Sequence, residues 1–214
     1  MPFMLPDGIY GITAEAFSGG RANVAVVRGM IDGGARIIQY REKHDRKSFR
    51  DMAAECIEIR RMTWAAGVLF IVNDYAELAM LVDADGVHIG QDDLPVAAVR
   101  ERIGDKILGL STHSPAQAVA AAAARVDYIG VGPIYKTKTK ADVCDPVGLD
   151  YLDFVVSNIG IPFVAIGGIK AHNIAEVIGR GARTVALVTE IVGAGDVSGT
   201  VRALDARVRT HSVA

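Results

Sequence analysis

The chain has 214 residues, half of them hydrophobic and 6% aromatic, with a formal net charge of −2. That length suits one domain, expected to span 1–214, with a core of Val, Ile, Leu and Ala. The near-neutral charge gives no electrostatic case for nucleic acid, no apolar run is long enough for a membrane helix, and two cysteines are too few for a disulfide framework or zinc site, so a reduced, cytoplasmic enzyme of small molecules is expected.

Strand-like and helix-like runs alternate along the chain. Strands are expected at 8–13, 35–41, 68–73, 85–89, 106–111, 126–131, 161–167 and 183–189. Most are continuous apolar runs, as in a parallel sheet covered on both faces. Between them, 48–67 places Met52, Cys56 and Ile59 at helical spacing and stops at Gly67. The segment 114–124 opens with Ser114 as an N-cap and Pro115 at the first helical position, and 171–182 is a further helix. Eight strands in this length, with no GxGxxG after the first, disfavour an open doubly wound sheet and favour a single-domain parallel (β/α)8 TIM barrel.

The strands end in polar or glycine-rich clusters, where such barrels carry their active sites. In GARIIQYREK (34–43), residues two apart share a face, so Gln39, Arg41 and Lys43 point one way and suit a diphosphate. Tyr40 and Glu42 point the other way, toward structural roles. Asn73 and Asp74 follow the third strand, and Asp92 and Asp93 the fourth. Two carboxylates at neighbouring strand tips, without a histidine cluster, suit Mg²⁺; the alternative is that they cap the helices beginning near Ala76 and at 95. Ser111 ends the fifth strand. Thr137, Lys138, Thr139 and Lys140 follow the sixth, Gly167 and Gly168 the seventh, and Val188 and Thr189 close the eighth. Hydroxyls, cations and glycines in these places suit a second phosphate, or else ordinary turns and a solvated basic loop. His88, mid-strand, reads as a hydrogen-bonded core histidine; His113 lies near the mouth without an acidic partner in sequence. No Ser/His/Asp or Cys/His nucleophile arrangement is visible.

QYREK, ND, DGVHIGQDD, GLSTH, DYIGVGPIYKTKTK, VGL and AIGGI, in this order and spacing, resemble the thiamine-phosphate synthase family over residues 8–192. That resemblance implies a transferase of thiamine biosynthesis. It joins a hydroxymethylpyrimidine diphosphate to a thiazole phosphate with loss of diphosphate. It implies Gln39, Arg41, Lys43, Asn73, Ser111 and Lys140 at the pyrimidine diphosphate, with Arg41, Lys43 and Lys140 assisting its departure. The family's pyrimidine segment takes in the whole of 39–43, Tyr40 and Glu42 included. It implies Asp74 and Asp93 as ligands of one Mg²⁺, and Thr137, Lys138, Thr139, Gly168, Val188 and Thr189 at the thiazole phosphate. Thr189 stands where many members have serine, Lys136 where many have proline, and Tyr75 where a charged residue is common. A thiazole tautomerase-like barrel lacks the full diphosphate-binding set, and a non-catalytic thiamine-phosphate-binding regulator has no need of the aspartates. Both are the weaker alternatives. The partners implied are two small-molecule substrates, with no nucleic acid and no membrane; homo-oligomerisation is left open.

Overall fold

The computed structural model describes residues 3–137, 139 and 144–211. Eight strands run in order: β1 (Gly8–Ile12), β2 (Ile37–Tyr40), β3 (Leu69–Asn73), β4 (Gly86–Ile89), β5 (Ile107–Thr112), β6 (Tyr128–Val131), β7 (Phe163–Ile166) and β8 (Thr184–Leu187). Each pairs in parallel with the next. β1 also pairs with β8, Gly8 opposite Thr184 and Gly11 opposite Leu187, so the sheet closes into a (β/α)8 barrel. The helices are α1 (Asn23–Asp32), α2 (Phe49–Ala66), α3 (Ala76–Leu81), α4 (Val96–Ile103), α5 (Pro115–Ala123), α6 (Gly148–Asn158), α7 (Ile174–Gly179), α8 (Thr189–Val192) and α9 (Val197–His211). Among the described residues, no helix is long and apolar enough to cross a membrane.

Local chemistry sets the helix ends. The Ser48 hydroxyl accepts from the Asp51 N–H at 3.1 Å and opens α2. Gly67 closes it in the left-handed conformation at φ 64°. The buried face of α2 is Met52, Cys56, Ile59 and Thr63, the spacing of one helical stripe. Ser114 accepts from the Gln117 N–H at 3.3 Å and Pro115 begins α5. Helix α7 is shorter than the expected 171–182. The Asn173 side chain accepts from the Lys170 N–H at 2.7 Å and donates to the Gly168 carbonyl at 3.1 Å, folding 170–173 into a turn. β8 stops short of 189 because α8 begins there.

Strand alternation divides the core in two. Outward residues such as Ile9, Ile38, Phe70, Val72, Val87, Leu108, Ile129 and Val185 are fully buried against the helices. Each burial of this size contributes about 1.5–3 kcal/mol. Inward residues Tyr10, Ile12, Ile37, Ile71, Tyr128, Val164 and Ala186 fill the barrel, with Phe3 and Leu5 packed against them. The last helix closes the outer layer on α1. Cβ atoms added at Gly29 and Gly33 would lie 2.9 and 2.6 Å from Val197 and Val201, so α1 accepts α9 because it has glycine there.

A Cβ added at Gly67 would meet nothing within 4 Å, so its φ alone demands glycine. Gly67→Ala is expected to cost about 1–2 kcal/mol, read as a lower denaturant midpoint, with unchanged activity.

Candidate active site

The C-terminal tips of β2, β3 and β4 form one side of the barrel mouth. Alternation turns Gln39 inward and sends Tyr40 and Glu42 out into the helix layer. Thr13, just beyond β1, fastens the next residue: its hydroxyl accepts from the Arg41 N–H at 2.8 Å, and its own N–H donates to the Gln39 carbonyl at 3.0 Å. Behind β2 lies a polar anchor. Glu42 accepts from the Glu15 N–H at 2.8 Å and from Asn23 Nδ2 at 3.1 Å. The Tyr40 hydroxyl donates to Glu55 at 2.6 Å, and Lys47 bonds both Glu15 and Glu55. This corrects the reading that placed Tyr40 and Glu42 at the substrate: their side chains are engaged behind the strand and hold it in place. Lys47 is thereby tied to two carboxylates.

Arg41 and Lys43 lie on the mouth side. The buried Nε of Arg41 has no hydrogen-bond partner, and burial draws its guanidinium pKa down, opposed by the charges of Asp74 and Glu42. An unpaired buried donor on a cation is able to take a hydrogen bond to an anion. Lys43 Nζ lies 3.0 Å from Asp74 Oδ2. Asp74 sits at φ 64°, a left-handed turn that aspartate tolerates better than most side chains. Burial pushes its carboxyl pKa up, Lys43 pulls it down, and Asp93 pushes it up again, so the two aspartates are close enough to interact. Neither caps a helix. α3 and α4 begin without side-chain caps at Tyr75 and Pro95, and Asp93 accepts from the Gly90 N–H at 2.7 Å. Tyr75 steadies the loop carrying Lys43: its hydroxyl accepts from the His44 N–H at 3.2 Å, and its ring meets Phe49 edge-on at 6.4 Å.

Beneath the tips lies a polar floor. Asn73 is buried at the end of β3. Gln39 Nε2 donates to the Tyr10 hydroxyl at 2.8 Å, which lies 2.9 Å from that of Tyr128. His88 Nδ1 is 3.0 Å from the Tyr128 hydroxyl, and its Nε2 is 2.9 Å from Ser111 Oγ. On the far side, Thr137 and Thr139 bring their hydroxyls within 3.0 Å of each other. Gly168 has φ 65°, and a Cβ there would lie 2.7 Å from the carbonyl oxygens of Tyr135 and Lys136. The turn alone therefore accounts for glycine. Val188 and Thr189 begin the short α8 beside it, and Glu190 bonds Lys170 at 3.0 Å, linking the tips of β7 and β8. Lys138 and Lys140 lie outside the described residues.

The family model described as thiamine monophosphate synthase matches residues 9–191. A thiamine-phosphate synthase of Pelotomaculum thermopropionicum is 65% identical over 204 residues, covering 95% of this chain and 93% of the relative. One from Lawsonia intracellularis is 56% identical over 203 residues, covering 92% of this chain and 93% of that one.

The chain belongs to the thiamine monophosphate synthase family.

Consistent with that membership, the solved thiamine phosphate pyrophosphorylase from Pyrococcus furiosus superposes with a TM-score of 0.88 at 32% identity, covering 95% of this chain and 96% of that one. Within this family member, the structure gathers Gln39, Arg41, Lys43, Asn73, Asp74, Asp93 and Ser111 around the β2–β5 tips, and Thr137, Thr139, Gly168, Val188 and Thr189 around β6–β8. Sequence reasoning missed Tyr10, Tyr128, Thr13 and the anchor of Glu15, Asn23, Lys47 and Glu55. Only strand phase hinted at the tyrosines. His88 is the bonded interior histidine expected of it, and the His113 ring is bonded to the Gly132 carbonyl. Removing the Tyr40 hydroxyl tests its reassignment. Tyr40→Phe is expected to lower stability by about 1–2 kcal/mol by thermal denaturation, through loss of a bond to a charged group, with kcat/KM for the pyrimidine substrate unchanged.

Proposed function

We propose that the protein is a thiamine-phosphate synthase. It joins 4-amino-2-methyl-5-(diphosphomethyl)pyrimidine to a thiazole phosphate, plain or carboxylated, giving thiamine phosphate and diphosphate, and carbon dioxide as well from the carboxylated form. The observation that carries the reading is the convergence of Arg41, Lys43, Asp74 and Asp93 on one mouth in a member of this family. The bond from the pyrimidine methylene carbon to the diphosphate oxygen breaks, its electron pair leaving with diphosphate. The thiazole nitrogen then supplies the pair that forms the new C–N bond to the methylene cation. This route needs leaving-group stabilisation more than a protein nucleophile, in keeping with a site that has cations and carboxylates at its rim.

The donor set fits one Mg²⁺: two interacting carboxylates, one kept partly desolvated, beside cations that would hold a polyphosphate. Asp74 and Asp93 would hold the ion, which when bound supplies positive charge to the departing diphosphate. The Arg41 guanidinium, with its unpaired Nε, binds diphosphate oxygens, and Lys43 adds charge on the same side; the family resemblance gives Lys140 a role in the same departure. Gln39, Asn73 and Ser111 orient the pyrimidine ring. Thr137, Lys138, Thr139, Val188 and Thr189 hold the thiazole phosphate, with Gly168 shaping that corner. Both cysteines are free, Cys56 buried and Cys144 exposed, which suits a reducing cytoplasm.

The decisive experiment supplies both substrates and Mg²⁺ and follows thiamine phosphate and diphosphate. Product formation that persists in excess EDTA would contradict the metal assignment, and Asp74→Asn and Asp93→Asn are each expected to lose most turnover with the fold intact. Arg41→Ala is expected to cost about 2–4 kcal/mol in kcat/KM for the pyrimidine diphosphate, leaving the thiazole phosphate KM unchanged. Thr189→Ala is expected to do the reverse, raising only the thiazole phosphate KM. It is a cleaner probe than any change at Gly168, whose backbone requires glycine.

A further inference from the structure

Five strands contribute to one hydrogen-bonded chain beneath the mouth: Gln39 on β2, Tyr10 on β1, Tyr128 on β6, His88 on β4 and Ser111 on β5. Its two ends are residues placed above at the pyrimidine ring. Its three middle members have no role in that reading. The barrel makes room for them. A Cβ at Gly109 would lie 2.2 Å from the Tyr128 ring and 2.5 Å from His88 Nδ1, and one at Gly130 would lie 3.3 Å from the His88 ring. Glycine at 109 is what lets phenol and imidazole meet.

The chain has a direction. Gln39 Nε2 can only donate, so the Tyr10 oxygen accepts there. Burial pushes both phenol pKa values up, so each keeps one hydrogen to give. If Tyr10 donates to Tyr128, then Tyr128 donates to His88 Nδ1, and a neutral imidazole carries its hydrogen on Nε2 and donates to Ser111 Oγ. Every link is then satisfied. With the Gln39 amide oriented as here, the reverse arrangement has Tyr128 donate back to Tyr10, whose own hydrogen is left without an acceptor, since its hydroxyl meets Gln39 Nε2 and Tyr128. A buried donor without an acceptor bears its desolvation cost uncompensated, so this orientation of the Gln39 amide sets the forward direction.

We propose that Tyr10, Tyr128 and His88 are positioning residues that fix the polarity of the ring site. Gln39 presents its carbonyl oxygen and Ser111 its hydroxyl hydrogen, which selects an aminopyrimidine over the corresponding oxo ring. The inference rests on the synthase reading above. A 4-aminopyrimidine carries a donor amino group and, across the ring, an acceptor nitrogen. It therefore meets an acceptor on one wall and a donor on the other. A 4-oxo ring turns the amino donor into a carbonyl acceptor and sets oxygen against oxygen at Gln39. A site whose polar groups are fixed rejects such a partner far better than one whose groups can reverse.

The test compares kcat/KM for the 4-amino and 4-oxo pyrimidine diphosphates in the wild-type enzyme, Tyr128→Phe and Tyr10→Phe. Each variant removes one hydroxyl and little volume. The amino-to-oxo ratio is expected to fall at least about tenfold in both, the equivalent of one lost hydrogen bond, with the thiazole phosphate KM unchanged. A ratio unchanged in both variants, whatever happens to their melting temperatures, overturns the proposal. The His88 tautomer in the wild-type protein, read from imidazole ¹⁵N shifts and assigned with His88→Gln, is an independent measurement that needs no tyrosine variant to fold. Hydrogen on Nε2 supports the direction argued here; hydrogen on Nδ1 overturns it. Wild-type protein that makes no thiamine phosphate would defeat the synthase reading instead, and the tautomer would still decide for or against the chain.

Discussion

A closed barrel offers its interior only every second residue of each strand, and that interior holds only a few layers of side chains. The placement of the functional groups depends on this constraint. In β2 the inward phase is Ile37 and Gln39, and the outward phase is Ile38 and Tyr40. Continued past the strand, the same alternation separates Arg41 from Glu42. Site and scaffold are thus interleaved in five consecutive residues, and neither set can be shifted by one place without exchanging roles with the other.

The charges divide along the same line. Behind β2, Glu15, Glu42 and Glu55 surround Asn23 and Lys47. Burial works against the Lys47 charge, but its bonds to Glu15 and Glu55 more than offset it and hold its pKa above the ordinary lysine value. That cluster sets three carboxylates against one lysine and has no cation to spare. In front of the strand the balance is different. Arg41 keeps an unpaired buried Nε, and Asp74 and Asp93 interact beside the exposed Lys43. Two cations there face two carboxylates, and the unmet donor of this region, Arg41 Nε, lies on the mouth side, where a diphosphate would complete it.

The parts legible in the sequence are those governed by neighbours along the chain. Ser48, Gly67, Ser114 and Pro115 mark helix ends through interactions that span only a few residues. The period-two phase of β2 correctly set Gln39 apart from Tyr40. Two kinds of information were out of reach. The Tyr10–Tyr128 bond joins residues 118 positions apart, and the links from Glu42 to Glu15 and Asn23 bridge 27 and 19. No local pattern encodes such pairs. The aspartates were ambiguous for a different reason. Asp74 and Asp93 stand in sequence where capping residues stand, and only the path of the backbone, with the helices starting uncapped at Tyr75 and Pro95, separates the two uses. Helix α7 was overextended because Asn173 spends its side chain on the Lys170 turn, a use its sequence position does not reveal.

The floor of the site shows why its polar residues come as a set. Around them the interior is apolar: Ile12, Ile37, Ile71 and Val164 leave few alternative partners. A lone tyrosine or histidine there would bear the cost of an unmet hydrogen bond, which in a low-dielectric interior exceeds what the bond would return. Linked end to end, Gln39, Tyr10, Tyr128, His88 and Ser111 satisfy one another. The chain then terminates at two groups beside the mouth rather than in the core. Gly109 belongs to the same solution, since any side chain there would displace both rings. The rigid, fully bonded floor and the charge-rich rim are therefore complementary. In the proposed reading the floor orients a neutral ring through the groups left over at its two ends, Gln39 and Ser111, its middle members being bonded to one another, while the rim binds a leaving anion through the unpaired Arg41 Nε.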